Sequence, residues 1–361
     1  KDGRLYGRGT ADDKGPAVAA LYAMRAVKEL GIPLKKNVRL IMGTDEECGS
    51  SDIKHYYAIE KEAPMTFSPD GQYPVVNVEK GRLGGHFTAS FEASSQLPRL
   101  VKIEAGTKLN VVPGKAAATV EGLALSVLEE TAEAVKKETG IEFQFVSKEP
   151  FCEITAIGTG AHASKPLEGN NALTGILTLI CRLPFAPCPQ IECVKKMTAL
   201  IPHGDVNGKV LGVNLEDSVS GELTLAFSML TVDGSGLDGQ FDSRVPVCGN
   251  EDNVLKVIKD KMAKEGFCLL NDSMSAPHQV DGDSKLVKTL LKIYERYTGK
   301  EGKCLSIGGG TYVHDLKNGV AFGASMPETD NRMHGADEFA VVEELVTSAA
   351  MFAQAIVELC G

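Results

Sequence analysis

The stretch Asp2-Gly3-Arg4-Leu5-Tyr6-Gly7-Arg8-Gly9-Thr10-Ala11-Asp12-Asp13-Lys14-Gly15-Pro16 runs without a break into the apolar-rich segment Ala17 to Leu30. Its first half is built of turn formers. In the second half Val18, Leu21, Tyr22, Met24, Val27 and Leu30 recur at helical spacing until Gly31 stops the pattern. The stretch therefore reads as a loop that delivers paired aspartates to the start of a helix. Further on, Val38 to Gly43 is a short apolar run of buried-strand type, with Asp45-Glu46-Glu47 at its C-terminal end. In open α/β sheets that end is where ligands collect. A second strand-like pattern, Phe67 to Val78, carries Pro69-Asp70-Gly71 inside it and ends at Lys80-Gly81. Loop, helix and strand in this order predict an α/β domain.

From about Arg82 to Pro277 the texture changes. Gly85 to Phe91, Gly221 to Thr231 and Gln240 to Val245 alternate apolar and polar residues, which predicts antiparallel strands. Helical spacing lies between them in Leu123 to Glu138, Asn171 to Leu183 and Asp252 to Glu265. After Asp283 the first style returns, with a helix over Ser284 to Tyr297, a Gly-rich loop at Gly308 to Thr311 and a final helix from about Glu338 to Leu359. The expected organisation is an α/β domain over 1–80 and 278–361, interrupted by an inserted α+β domain over 81–277.

The 361 residues carry 38 Lys plus Arg against 48 Asp plus Glu, a net charge of -10. Non-specific nucleic-acid binding depends on cations that neutralise phosphates, so this balance excludes a general nucleic-acid binder and favours small-molecule or peptide partners. Apolar runs such as Leu223 to Leu230 fall well short of the roughly 20 residues that span a bilayer, so no membrane role is expected. Nine cysteines with no C-x-x-C pair read as reduced thiols of a cytoplasmic protein. The start at Lys1-Asp2-Gly3-Arg4 has neither Met nor an apolar leader, and reads as an opening in mid-protein without an export address.

The chemistry is expected from carboxylates and one histidine in turn or strand-end settings: Asp12, Glu46, Glu47, Asp70 and His334. Each has an ordinary role open to it. Asp12 or Asp13 can cap the helix that follows, Asp70-Gly71 can be a plain turn, a Glu-Glu pair is commonly a solvated surface, and a lone histidine is more often structural. Taken as a set, three carboxylates and an imidazole without a thiolate suit Zn²⁺, Mn²⁺ or Co²⁺. A further carboxylate that is not a ligand can then serve as general base and acid for amide hydrolysis.

As an ordered set, G-R-G-T-A-D-D-K-G-P, T-D-E-E-C-G-S, S-P-D-G-Q-Y-P and M-H-G-A-D-E-F resemble the M20 metallopeptidases, most closely the PepV-like and Xaa-His dipeptidases. The resemblance runs from Asp2 to the C-terminus. It implies a zinc-peptidase-type α/β catalytic domain, an inserted lid and dipeptide hydrolysis with two Zn²⁺, or Mn²⁺ or Co²⁺ in their place. By that resemblance Asp12 is the bridging carboxylate, Glu46 the general base, Glu47 and His334 ligands of one ion and Asp70 a ligand of the other. Asp13 occupies the neighbouring non-ligand position. His162, in G-A-H-A-S-K-P, would donate to the oxyanion. Asn110, Arg244 and the loop containing Gly309, Gly310 and Thr311 would hold the substrate carboxylate. A guanidinium fork and Gly-rich backbone amides suit that task.

The chain departs from the family pattern in one respect. The family's remaining ligand is a histidine in an H-x-D motif upstream of the Asp12 segment, whereas the H-x-D here is His203-Gly204-Asp205, deep in the insert. That motif reads as a decoy, and partial or absent metal occupancy is expected of these 361 residues alone. Two other readings remain: a deacylase or deacetylase of acyl-amino acids with the same centre, and a peptide-binding protein without turnover. Both a monomer and a homodimer are compatible with the sequence.

Overall fold

The computed structural model describes Lys1 to Gly361 throughout. The chain divides into two compact units, Lys1–Glu79 with His278–Gly361, and Lys80–Pro277. The first unit is built on a mixed five-stranded sheet. Val75–Glu79 lies at its centre, antiparallel to His278–Gln279, parallel to Cys304–Ile307, and next to Gly319–Ala321, which pairs in parallel with Thr66–Ser68. All five residues of Val75–Glu79 are buried, as befits a strand covered on both faces. Helices Lys14–Glu29, Lys285–Thr298 and Val342–Cys360 supply Ala23, Val27, Leu290, Ile293, Phe352 and Ala355 to a core that also holds Tyr73, Val320 and Phe322. His278 sits opposite Glu79 in the ladder, so the chain leaves this unit and re-enters it at neighbouring positions.

The second unit is an eight-stranded, wholly antiparallel sheet. Its strands run in the order Cys268–Leu269, Gly81–Ser90, Gly236–Val245, Thr224–Val232, Arg99–Ala105, Lys115–Glu121, Phe151–Ile157 and Glu142–Lys148. Along Gly81–Ser90, Lys115–Glu121 and Phe151–Ile157, buried residues alternate with more exposed ones, the signature of a sheet with one face on a core. Helices Leu125–Thr139, Ala172–Arg182, Pro189–Leu200 and Lys256–Lys264 contribute Leu128, Val135, Leu177, Ile180, Val194, Met197, Ile258 and Met262 to that core. Asn171 starts the most buried of them by accepting hydrogen bonds from the amides of Leu173 and Thr174. No helix of the chain is long and apolar enough to cross a membrane.

Several sequence expectations need correction. Val38 to Gly43 forms no strand. A strand exists only by pairing, and Leu40 to Gly43 share a cavity with Thr66, Phe67 and Ser68 rather than backbone hydrogen bonds. Glu46 and Glu47 therefore stand on a 3-10 turn, Glu46–Cys48, and not at a strand end. Phe67 to Val78 is broken into Thr66–Ser68, Gly71–Gln72 and Val75–Glu79, because Pro69-Asp70 turns the chain between the first two. The last helix begins at Val342, since Phe339–Val341 is drawn into an antiparallel pair with Arg4–Tyr6. Helices Ser51–Ile59 and Pro189–Leu200 had no sequence expectation; they are short and of weak amphipathic contrast.

Candidate metal and catalytic site

The turn that carries Asp12 is shaped around one buried carboxylate. Oε1 of Glu338, a residue only 3% exposed, accepts hydrogen bonds from the amides of Gly9 (2.9 Å), Ala11 (3.0 Å) and Asp12 (3.3 Å). Its Oε2 pairs with Arg8 at 2.7 Å. The strand pair Arg4–Tyr6 with Phe339–Val341 brings these distant segments side by side. Four residues before Glu338, His334 sits in a loop held at its base by Asn331, whose side chain donates to Phe339 O (2.9 Å). His334 itself has left-handed backbone geometry (φ 60°), a strained choice for a residue with a β-carbon and one concentrated at functional sites.

Three of the four predicted ligands converge. His334 Nε2 lies 2.7 Å from Asp12 Oδ2 and 2.7 Å from Glu47 Oε1, and the three donor atoms all fall within 4.8 Å of one another. Asp70 is outside this triad. It lines the same cavity of about 510 Å³ as Asp12, Asp13, Glu46 and Glu47. Loops and turns supply the carboxylates: the turn before Lys14–Glu29, the 3-10 turn Glu46–Cys48 and the Ser68–Gly71 turn.

So many acids in one place cannot all stay ionised without a counter-charge. Burial, reinforced by Asp70, Asp12 and Glu46, pushes the Asp13 carboxyl up to about 8. Burial with Asp70, Glu47 and Asp12 does the same to Glu46, also to about 8, and burial with Asp12, Glu47 and Glu79 lifts Asp70 to about 7. At His334 burial works against the cation, yet Glu47 and Asp12 outweigh it and raise its pKa. Asp13 Oδ1 is buried with no hydrogen-bond partner. The converging oxygen donors of Asp12 and Glu47 with the His334 imidazole fit divalent cations of the Zn²⁺ or Mn²⁺ type.

The Gly-rich loop also belongs to the first unit. Buried Glu79 accepts from the Thr311 amide (3.2 Å) and hydroxyl (2.8 Å), and lies 2.9 Å from His314 Nδ1. Glu338 and Glu79, two buried acids that hold these loops, went unassigned from sequence. Glu338 stands inside the quoted motif M-H-G-A-D-E-F, but nothing in the sequence ties it to the amides of Gly9, Ala11 and Asp12, from which it accepts.

The remaining predicted residues lie in the second unit. His162 and Asn110 are neighbours there, because Ala161–His162 pairs with Val111–Val112 and the Ala163 amide donates to Asn110 O (2.9 Å). His162 Nδ1 accepts from the Ser164 amide (3.2 Å) and lies 2.6 Å from its hydroxyl, which puts the proton of a neutral ring on Nε2. Arg244 is gripped by buried Asp242 through Nε to Oδ1 (2.7 Å) and NH2 to Oδ2 (2.9 Å). The H-x-D motif has a structural occupation: His203 Nδ1 meets the Thr174 hydroxyl at 2.9 Å, and Asp205 accepts the amides of Lys209 and Val210.

This mixed α/β chain with its carboxylate and histidine cluster is an enzyme of the peptidase family M20/M25/M40: residues 1–358 match that family, and the chain belongs to it. It is 36% identical over 367 residues to a putative dipeptidase of Bacillus subtilis (strain 168), covering 99% of this chain and 77% of that protein. It is 34% identical over 360 residues to a Beta-Ala-Xaa dipeptidase of Lactobacillus delbrueckii subsp. lactis, covering 99% and 76%. Among solved structures its fold resembles human carnosine dipeptidase 1 (TM-score 0.52, 14% identity, 99% of this chain and 74% of that one). It also resembles an M20 family metallo-carboxypeptidase of Sulfolobus solfataricus (TM-score 0.51, 13% identity, 99% and 78%).

Proposed function

We propose that the protein hydrolyses dipeptides with two divalent cations, Zn²⁺ by preference, and with Glu46 as general base and acid. The observation that carries this reading is the meeting of His334 Nε2 with Asp12 Oδ2 and Glu47 Oε1 at 2.7 Å each. Asp12, Glu47 and His334 would hold one ion; Asp70, with Asp12 shared, would hold the other. When bound, such ions supply Lewis acidity toward the scissile carbonyl and lower the pKa of water. Asp13 remains a neighbouring acid outside the ligand set.

Glu46 is half-buried and next in the chain to Glu47, and burial with neighbouring acids raises its carboxyl to about 8. A carboxyl placed beside the proposed ligands, and not itself a ligand, can take a proton from the attacking water and return it to the departing amine. His162, with its proton on Nε2, is suited to donate to the oxyanion. Arg244, Asn110 and the Gly309-Gly310-Thr311 loop would grip the substrate carboxylate and limit length to about two residues, with Lys80–Pro277 as the lid. The relatives named for dipeptide and Beta-Ala-Xaa cleavage support the substrate class.

With Zn²⁺ or Mn²⁺ supplied, turnover of Ala-Ala or β-Ala-His well above that of N-acetylornithine is the expected result. Preference for the acylated amino acid would replace this reading with a deacylase. Glu46→Ala should lower kcat by at least 100-fold while metal content measured by elemental analysis stays unchanged. Loss of metal in step with activity would show that Glu46 is a ligand.

A further inference from the structure

A side-chain network outside the ligand set surrounds the turn that bears Glu46. Asp52 Oδ2 accepts from the Thr44 amide (2.6 Å), the Asp45 amide (3.0 Å) and the Tyr312 hydroxyl (2.8 Å). The Tyr312 oxygen in turn accepts from the Asp45 amide at 3.2 Å. Asp45 closes the far side of the turn, its Oδ2 accepting from the Ser51 amide (2.8 Å), while the Ser50 and Cys48 amides donate to its carbonyl. Tyr312 directly follows the Gly308 to Thr311 loop and lines the cavity shared by Asp12, Glu46, Glu47 and Asp70.

The close fit of this network leaves a mark in the sequence. A β-carbon on Gly43 would collide with both Tyr312 Oη and Asp52 Oδ2. Any side chain at 43 would force Tyr312 or Asp52 to shift, and this crowding, not a left-handed φ, is what glycine relieves there. Two separated segments thus fix the two residues immediately before Glu46, Asp52 by accepting and Tyr312 by bridging, with Gly43 making room.

Resting on the reading of Glu46 as general base, we infer that Tyr312 and Asp52 are positioning residues that orient Glu46 by clamping the Thr44-Asp45 backbone. Neither is a ligand in the proposed centre. Their loss should act on the chemical step rather than on substrate binding, because displacement of a reacting group by about 1 Å can cost on the order of 100-fold.

The test uses the full chain with Tyr312→Phe, which keeps the ring and removes the bridging oxygen, and Gly43→Ala as an independent disruption. Both are compared with the parent protein by steady-state kinetics on Ala-Ala, metal content, and amide hydrogen exchange of the Thr44 to Cys48 segment. The expected result is at least a 10-fold fall in kcat, KM within about 3-fold, unchanged metal content and at least 10-fold faster exchange in that segment. Unchanged exchange or unchanged kcat in Tyr312→Phe would overturn the inference, as would a loss of metal proportional to the loss of activity. Absence of Ala-Ala turnover in a parent protein shown by elemental analysis to hold two ions would instead sink the dipeptidase reading, and the exchange comparison would still decide whether the clamp exists.

Discussion

Glu338 shows how one side chain can shape a site it does not enter. A carboxylate 3% exposed that accepts three amides and an arginine is charge-assisted at every contact. Burial alone would raise its pKa, but the amides of Ala11, Asp12 and Gly9, with Arg8, lower it. Glu338→Ala leaves those amides unpaired in a buried turn. It should destabilise the first unit by about 2 kcal/mol and weaken Zn²⁺ binding, read by urea unfolding and by isothermal calorimetry. An unchanged unfolding midpoint would mean that water replaces the carboxylate at no cost. Asp217 makes the same case in the second unit. Burial would raise its pKa, but the amides of Ser220, Cys248 and Val219 and the Ser220 hydroxyl lower it to about 2. Its folded value lies below the unfolded one, so the stabilisation is present above about pH 4 and is lost as pH falls toward 2. Asp217→Asn should be less stable than the parent by about 1 kcal/mol at pH 5, after allowance for solvent screening. Denaturant midpoints at pH 5 and pH 2 should show that gap closing.

At the scale of elements, the opening helix marks where reading by spacing stops short. The sequence pattern pointed to Val18, Leu21, Tyr22, Met24, Val27 and Leu30; Val27 is buried, yet Val18, Leu21, Tyr22 and Leu30 are 52%, 50%, 57% and 75% exposed, and Ala19, Ala20 and Ala23 are buried in their place. The helix was legible, and its inward face was not: alanines allow close approach of Val342–Cys360, and alanine carries little weight in a hydrophobic count. Ala23→Leu should therefore cost about 1–3 kcal/mol through overpacking, whereas Leu21→Ala should stay within about 0.5 kcal/mol, both measured by thermal or urea unfolding. Equal effects would place the buried face elsewhere. The run Val38 to Gly43 was misread for a related reason: local composition records that a segment is apolar, and only the fold records whether a partner strand lies within hydrogen-bonding reach. The alternating strands of the second unit were legible because their inside-outside period is written into consecutive residues. The acids and imidazole of the site were legible as motifs. The bonds among them were not, because Glu338 to Asp12 and Tyr312 to Asp45 span hundreds of residues and leave no periodicity.

For the whole molecule, the point of interest is the rung at which Glu79 faces His278. A strand that ends opposite the start of its antiparallel neighbour is already positioned for a hairpin, and two residues of Asn-Gly type suffice to join such a pair. The long excursion from Lys80 to Pro277 therefore closes on itself, topologically equivalent to an enlarged β-turn. Its length can grow or shrink over generations without rethreading the sheet that carries Glu79, since both ends of the graft are stitched to the same rung.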